Sequence, residues 1–211
     1  MSRIEAVISD FGGVLTSPLV DSFAAMQDDS GIPMAALGEA MAALTERTGV
    51  NPLFELETGR MTEAAFLSDL DGELSAKLGR DVHMHDFGER YFGYLEPNET
   101  LIEYMRGLRD RGYKLAICTN NVREWEQRWR AMLPVDEIFD VVVDSAFVGS
   151  RKPEPKIYEV TLERLGVPAG GALLVDDIEI NCDAAHALGI RSVWFRSNDQ
   201  AIEEIEALLR D

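Results

Sequence analysis

From residue 97 to its end the chain alternates strand-length apolar runs with amphipathic stretches of helical period, and this rhythm constrains the fold more than any other feature. "YKLAICT" (113–119), "FDVVVDS" (139–145), "ALLVDD" (172–177) and "IRSVWF" (190–195) read as strands. Helices lie between them. "NETLIEYMRGLRDRG" (98–112) has Asn98 as N-cap, Leu101, Ile102, Met105 and Leu108 as its apolar stripe, and Gly112 as its stop. "NVREWEQRWRAML" (121–133) is expected to carry Trp125, Trp129 and Met132 on one side. "PKIYEVTLERLG" (155–166) and "IEINCDAAHALG" (178–189) each close on a glycine, and 201–209 forms a last helix. Strands joined through helices of this length make right-handed βαβ units and a parallel sheet. One more apolar run, 4–9, lacks the alternation of a half-exposed strand, as expected for a central parallel strand covered on both faces.

Between 18 and 96 the pattern is helical only. Segments 34–47, 61–78 and 86–95 have helical period, with Thr62 as an N-cap and Phe66, Leu67 and Leu70 on one broad apolar face. The expected fold class is therefore α/β: a three-layer Rossmann-like core with a parallel sheet plus an inserted helical cap. The core is discontinuous, 1–17 with 97–211, and the cap spans 18–96. A chain of 211 residues with 46% hydrophobic content can bury such a core.

Thirty-eight acidic residues against 20 basic ones give a net charge of -18. Such a surface repels nucleic acid and anionic membranes, so neither is expected as a partner. A phosphate ligand would need local positive charge from a metal, a lysine or helix N-termini. No run approaches the ~20 apolar residues of a membrane span and no secretory leader pattern is present, so a cytoplasmic location is expected. Cys118 and Cys182 stand in apolar runs and read as free buried thiols.

In an open parallel sheet, ligands bind beyond the carboxyl ends of the strands. Those ends carry Asp10, Thr119 with Asn120 and Asn121, Lys152 after the third strand, and Asp176 with Asp177 followed by Asn181. Carboxylates, a hydroxyl, an amide and an amine at one edge can bind a divalent cation and a phosphate together. All-oxygen ligands suit magnesium.

In this order these residues resemble the four motifs of the haloacid dehalogenase superfamily of phosphohydrolases. Asp10 in "DFGGVL" matches the first, Thr119 and Asn120 the second, Lys152 in "RKPEPKIYE" the third, and Asp176 with Asp177 in "LLVDDIEIN" the fourth. "DFGGVL", "LETGRMT" and "KPEPKIY" look like the branch of the N-terminal phosphatase domain of soluble epoxide hydrolases. That branch also inserts its helical cap, of the C1 type, just after strand one. The resemblance implies a magnesium-dependent phosphatase that hydrolyses a small phosphorylated metabolite through an aspartyl-phosphate intermediate. Asp10 would attack phosphorus. Asp10, Asp177 and the main-chain carbonyl of Gly12 would hold magnesium, with Asp176 an alternative or more distant ligand. Main-chain N–H groups of Phe11, Gly12 and Gly13 and the Thr119 hydroxyl would hold phosphate oxygens. Asn120 would set its loop and is a candidate to reach the phosphate or leaving group. Lys152 would balance the negative charge and keep Asp10 ionised. The stretch 51–60 would lie over the site, making Asn51 and Arg60 candidate substrate contacts.

One element of the family pattern is missing. Most phosphatases of this family carry an aspartate two residues after the nucleophile, which protonates the leaving oxygen and then activates water. Here that place is Gly12, and such a group is worth ~10²–10⁴-fold in rate. Three readings stay open. The leaving group is easy, such as an anomeric or acyl oxygen; a cap carboxylate substitutes, with Asp21, Glu55 and Glu57 as candidates; or the chain is a non-catalytic phospholigand-binding or interaction protein. A haloacid dehalogenase also lacks the second aspartate, but halide displacement from carbon needs no magnesium, so the Asp176–Asp177 pair argues against it. His83 and His85 read as surface residues, "SDLDGE" (68–73) as no calcium loop, and Trp125 and Trp129 as packing or an oligomer surface. The sequence leaves homo-oligomer formation open.

Overall fold

The run at 4–9 is apolar throughout because it threads the middle of the sheet. The computed structural model describes residues 3–84 and 86–210, with Met26 described by its backbone alone. Five strands, β1 (Ala6–Ser9), β2 (Lys114–Thr119), β3 (Val141–Asp144), β4 (Ala172–Asp176) and β5 (Arg191–Trp194), pair in parallel in the order β3-β2-β1-β4-β5. Ser9 lies opposite Ile117 of β2 and Val175 of β4, so these strand ends finish nearly level. Chain order reverses at β1, and the crevice between β1 and β4 is the switch point where ligands of such sheets bind.

Five helices separate β1 from the rest: α1 (Leu19–Ser30), α2 (Met34–Thr48), α3 (Pro52–Glu57), α4 (Glu63–Leu78) and α5 (Phe87–Gly93). Then α6 (Glu99–Asp110) leads into β2. Next, α7 (Glu126–Arg130) and α8 (Val135–Ile138) precede β3, and α9 (Ser145–Val148) and α10 (Pro155–Leu165) precede β4. Finally, α11 (Glu179–Ala187) joins β4 to β5, and α12 (Asn198–Arg210) closes the described chain.

Alternate strand residues feed two cores. Val7, Leu115, Ile117, Leu173 and Val175 pack with Leu101, Met105 and Leu108 of α6 and Ile205 of α12. Ala6, Ile8, Ala116, Cys118 and Leu174 pack with Ile157, Tyr158 and Leu165 of α10 and Ala185 of α11. Helices thus cover both sheet faces, as the three-layer expectation requires. Each fully buried Leu or Ile contributes roughly 1.5–3 kcal/mol. The inserted helices have their own cluster, centred on Leu44, Leu56, Phe66, Leu70 and Leu74, and Thr62 caps α4 by accepting from the Ala65 N–H. The two connections that leave and re-enter the sheet run side by side. Thr16 and Pro97 form an antiparallel bridge, Ser17 N donates to Glu96 O at 2.7 Å, and Asn98 N donates to Leu15 O at 2.9 Å.

Some local expectations need correction. The segment 121–133 is not one helix: a tight 3-10 turn at Arg123–Trp125 precedes the short α7. The change of winding separates the two tryptophans. Trp129 is fully buried in the sheet core, its ring 5.2 Å from that of Phe11. Trp125 points the other way and stacks on Tyr91 and Phe87 of the inserted helices. Periodicity did not single out α1 or α3. Residues 68–73 lie inside α4, which excludes a calcium loop. His83 is exposed, 4.0 Å from Asp71, and His85 lies outside the described residues. Cys118 and Cys182 are buried free thiols. Among the described residues no helix is long and apolar enough to cross a membrane.

Candidate active site

Asp10 follows β1 directly, and its main-chain N–H stays tied to the neighbouring strand at Val175 O. Its Oδ1 accepts from Phe11 N at 2.7 Å and from Lys152 Nζ at 2.9 Å. Lys152 also reaches Asp176 Oδ2, at 2.5 Å. Asp176, at the end of β4, takes two further bonds on Oδ1, from Ile178 N and Asn181 Nδ2. Both its oxygens therefore have protein partners. Lys152 is itself positioned by Asn120, whose Oδ1 accepts from Lys152 N at 2.7 Å and whose Nδ2 donates to Lys152 O at 2.9 Å. Thus Asn120 sets the lysine loop. Thr119 ends β2 and is almost fully buried beside it.

Carboxylate oxygens of Asp10, Asp176 and Asp177 lie within 4.8 Å of one another. Three acids surround one ammonium. Burial pushes Asp10 up to about 7, with Lys152 pulling it down and Asp176 and Asp177 pushing it further up. Burial and then Asp176 push Asp177 up to about 6. For Lys152, burial opposes the charge, but Asp10 and Asp176 outweigh it and hold the ammonium well above its ordinary value. A divalent cation would remove the excess negative charge, and an all-oxygen donor set is what a hard cation takes. The residues present fit such an ion.

The turn after Asp10 depends on Gly13. Its φ is 74°, and a Cβ there would stand 2.3 Å from Asp177 Oδ2. Only glycine lets the acid lie against this backbone. Two of the three N–H groups expected to meet phosphate are already bonded within the loop, Phe11 N to Asp10 and Gly13 N to Thr16 Oγ1.

Above this floor lies a cavity of about 300 Å³. Phe11, Gly12, Thr119, Asn120 and Asn121 form its base. Its walls are apolar, including Leu19, Phe23, Leu53, Phe87, Tyr91 and Trp125. Among the described residues no lysine or arginine lines it, and Glu57 is the one carboxylate among the lining residues. Arg60 is not among them: it is half exposed and paired with Glu55 at 2.8 Å. Nor is Asn51, which caps α3 by accepting from Leu53 N. Two lining or adjacent groups carried no sequence signal that singled them out. Tyr91 lies inside a helical stretch. Its phenol is raised by burial and then by Asp10, Glu57 and Asp177, so it stays neutral. Arg151, beside Lys152, binds Glu57 across the gap between sheet and inserted helices, at 2.6 Å.

Comparison with known proteins places the chain. A family model for haloacid dehalogenase-like hydrolases matches residues 4–189, and the chain belongs to this family. It is 30% identical over 195 residues to Phosphatase MT3486 of Mycobacterium tuberculosis, covering 90% of this chain and 86% of that one. It is 28% identical to mouse acyl-CoA dehydrogenase family member 10, over 97% of this chain but 19% of that protein. It is 22% identical to pig bifunctional epoxide hydrolase 2, over 96% of this chain and 38% of that protein. The chain thus spans less than half the length of these last two relatives. Among solved structures, a protein from Porphyromonas gingivalis described as a predicted HAD-like family hydrolase superposes with a TM-score of 0.74 at 22% identity, over the whole of both chains. A HAD family enzyme from Bacteroides thetaiotaomicron, in complex with magnesium and inorganic phosphate, superposes at 0.63 and 20% identity over 92% of this chain and 94% of that one. At such identities these likenesses establish the shared fold.

Proposed function

We propose that the chain is a magnesium-dependent phosphatase acting on a small phosphate monoester whose alcohol portion is apolar. The observation that carries this reading is the group of three carboxylates within 4.8 Å, set around a buried lysine at the sheet's switch point. Asp10 is the nucleophile toward phosphorus. Phe11 N and Lys152 both bond its Oδ1, so Oδ2 is the oxygen without those partners and the one assigned to attack. Asp10, Asp177 and the Gly12 carbonyl would hold the metal. Asp176, with both oxygens bonded inside the protein, orients Lys152 instead. Magnesium bound there would offset the negative charge that a phosphate brings to three acids and polarise its oxygens. The Thr119 hydroxyl holds a phosphate oxygen, and Lys152 counters charge on the phosphoryl group as it transfers.

Selectivity belongs to the cavity. Its volume is at the lower end of the ~300–1,000 Å³ usual for small-molecule sites, and apolar side chains without a cation line its walls. A sugar would leave hydroxyls unpaired there, whereas a compact hydrocarbon or aryl group would not. A non-catalytic phospholigand-binding protein is the second reading, favoured by the glycine at position 12. Turnover separates the two. The protein should hydrolyse 4-nitrophenyl phosphate with magnesium and lose that activity in a chelator. Binding of inorganic phosphate without hydrolysis would support the second reading.

A further inference from the structure

We propose that Glu57, delivered by the inserted helices, exchanges the proton with the leaving oxygen and with water, a role for which position 12 has no side chain. This assignment rests on the phosphatase reading above. Position 12 offers no proton carrier, and Leu19 crowds the space beside it. A Cβ on Gly12 would stand 3.2 and 3.3 Å from the two methyl groups of Leu19. Leucine fills the space into which a side chain at 12 would grow. Proton transfer must then come from another wall of the cavity, and among the described lining residues Glu57 is the one carboxylate. Neither other candidate reaches it: Asp21 is exposed, and Glu55 is held by Arg60. Two helical steps set Glu55 and Glu57 about 200° apart around α3, so one faces outward while the other faces the cavity.

Glu57 is also held in place. Its carbonyl accepts from Ser145 Oγ at 2.5 Å, and its Oε2 accepts from Arg151 Nε at 2.6 Å. Arg151 is fixed in turn by stacking on Phe54, 3.9 Å from the ring centre. The backbone just beyond is pressed onto α9. Gly59 has φ 68°, and a Cβ there would lie 2.3 Å from Ala146 O. No described residue bonds Oε1, which leaves that oxygen for a ligand. Burial raises the acid's pKa against the opposing pull of Arg151 and then Lys152, the direction that helps a carboxyl keep a proton. Tyr91 lines the same cavity, but its phenol stays neutral, so it can donate a hydrogen bond and not take a proton from water.

The two steps balance. First, an Asp10 oxygen bonds to phosphorus, the bond from phosphorus to the leaving oxygen breaks, and that oxygen takes the proton of the Glu57 carboxylic acid. The alcohol departs, leaving an aspartyl phosphate and a Glu57 carboxylate. Then a water oxygen bonds to phosphorus, the Asp10–phosphorus linkage breaks, and a water proton returns to Glu57.

The test is Glu57→Gln with two substrates. Nitrophenolate leaves without a proton, so the first step should survive while the second loses its base. With 4-nitrophenyl phosphate the variant should release a burst of one equivalent of nitrophenolate, absent in wild type, followed by turnover slowed ~10²–10⁴-fold. With a primary alkyl phosphate both steps slow and no burst appears. Arg151→Met breaks the same ion pair but keeps the carboxylate, and should show no burst. Glu57→Asp, a milder change, covers the case where Glu57→Gln does not fold: its log kcat/KM should depend more steeply on leaving-group pKa than wild type's. Equal losses on both esters without a burst, a burst in Arg151→Met, or an unchanged slope in Glu57→Asp would overturn the role of Glu57 and leave the phosphatase reading standing. A wild type inactive on both esters would overturn that reading, and the role of Glu57 with it.

Discussion

Lys152, beneath the cavity floor, and Leu56 among the inserted helices are almost equally dry, at 1% and 2% exposed, yet they are held by opposite means. Lys152 sits between two carboxylates, Asp176 takes two more bonds from Ile178 and Asn181, and Asn120 clamps the lysine's own backbone. Leu56 is held by packing against a cluster of leucines and Phe66, and the cavity wall nearby is a stack of rings from Phe23, Phe87, Tyr91 and Trp125. A buried charge network cannot lose one member cheaply, because its partner is left uncompensated. An apolar wall accepts hydrophobic exchanges at under ~1.5 kcal/mol. The floor suits chemistry that must not vary, and the wall suits a shape that can.

The largest effect should come from breaking the floor. Lys152→Met keeps the volume but leaves Asp10 and Asp176 buried without their cation. Urea unfolding should show a loss of about 3–5 kcal/mol, and activity should vanish. A loss under ~1 kcal/mol would mean that the acids are neutral or hydrated, and the contrast with the wall would fail.

Adjacent glycines sharpen the same contrast. Gly13→Ala forces a side chain into left-handed backbone and onto Asp177. It should cost more than ~1 kcal/mol and raise the magnesium needed for half-maximal activity. Gly12→Ala presses only on the flexible end of Leu19 and should do markedly less of both. Equal magnesium requirements in the two variants would remove Asp177 from the metal site.

A charge in the wall should alter selectivity more than chemistry. Leu53→Arg places a cation in the apolar lining. It should shift the kcat/KM ratio of an apolar alkyl phosphate to a polar sugar phosphate by about tenfold to a hundredfold toward the sugar, the range that 1–3 kcal/mol of pocket contact allows. An unchanged ratio would show that this wall does not meet the leaving group. The smallest effect belongs to Arg60→Ala, which removes a surface pair with Glu55. It should change stability by no more than ~0.5 kcal/mol and leave KM for every ester unchanged.

The contrast also explains what could be read from the sequence. Strand ends are fixed by the sheet, so Asp10, Thr119, Asp176 and Asp177 were placed at one edge by the βα rhythm alone, and Lys152 came with its loop. The wall depends on how short helices turn. α3 has six residues, too few for periodicity to say whether Glu55 or Glu57 faces inward, and the turn that follows it carries Arg60 outward to pair with Glu55. The break at Trp125 has the same origin: helical spacing put it beside Trp129, but a 3-10 turn rotated it into the cavity. Tyr91 reads as one more apolar helix position until the fold brings its hydroxyl near the acids.

Where phosphate goes during turnover decides the role of Asp10. Protein quenched in acid while hydrolysing 4-nitrophenyl phosphate with magnesium can be digested and its peptides weighed. A phosphoryl adduct should be confined to the peptide containing Asp10, with no adduct and no turnover in Asp10→Asn with its fold intact. Turnover at the wild-type rate by Asp10→Asn, or an adduct on any other residue, would exclude Asp10 as the nucleophile.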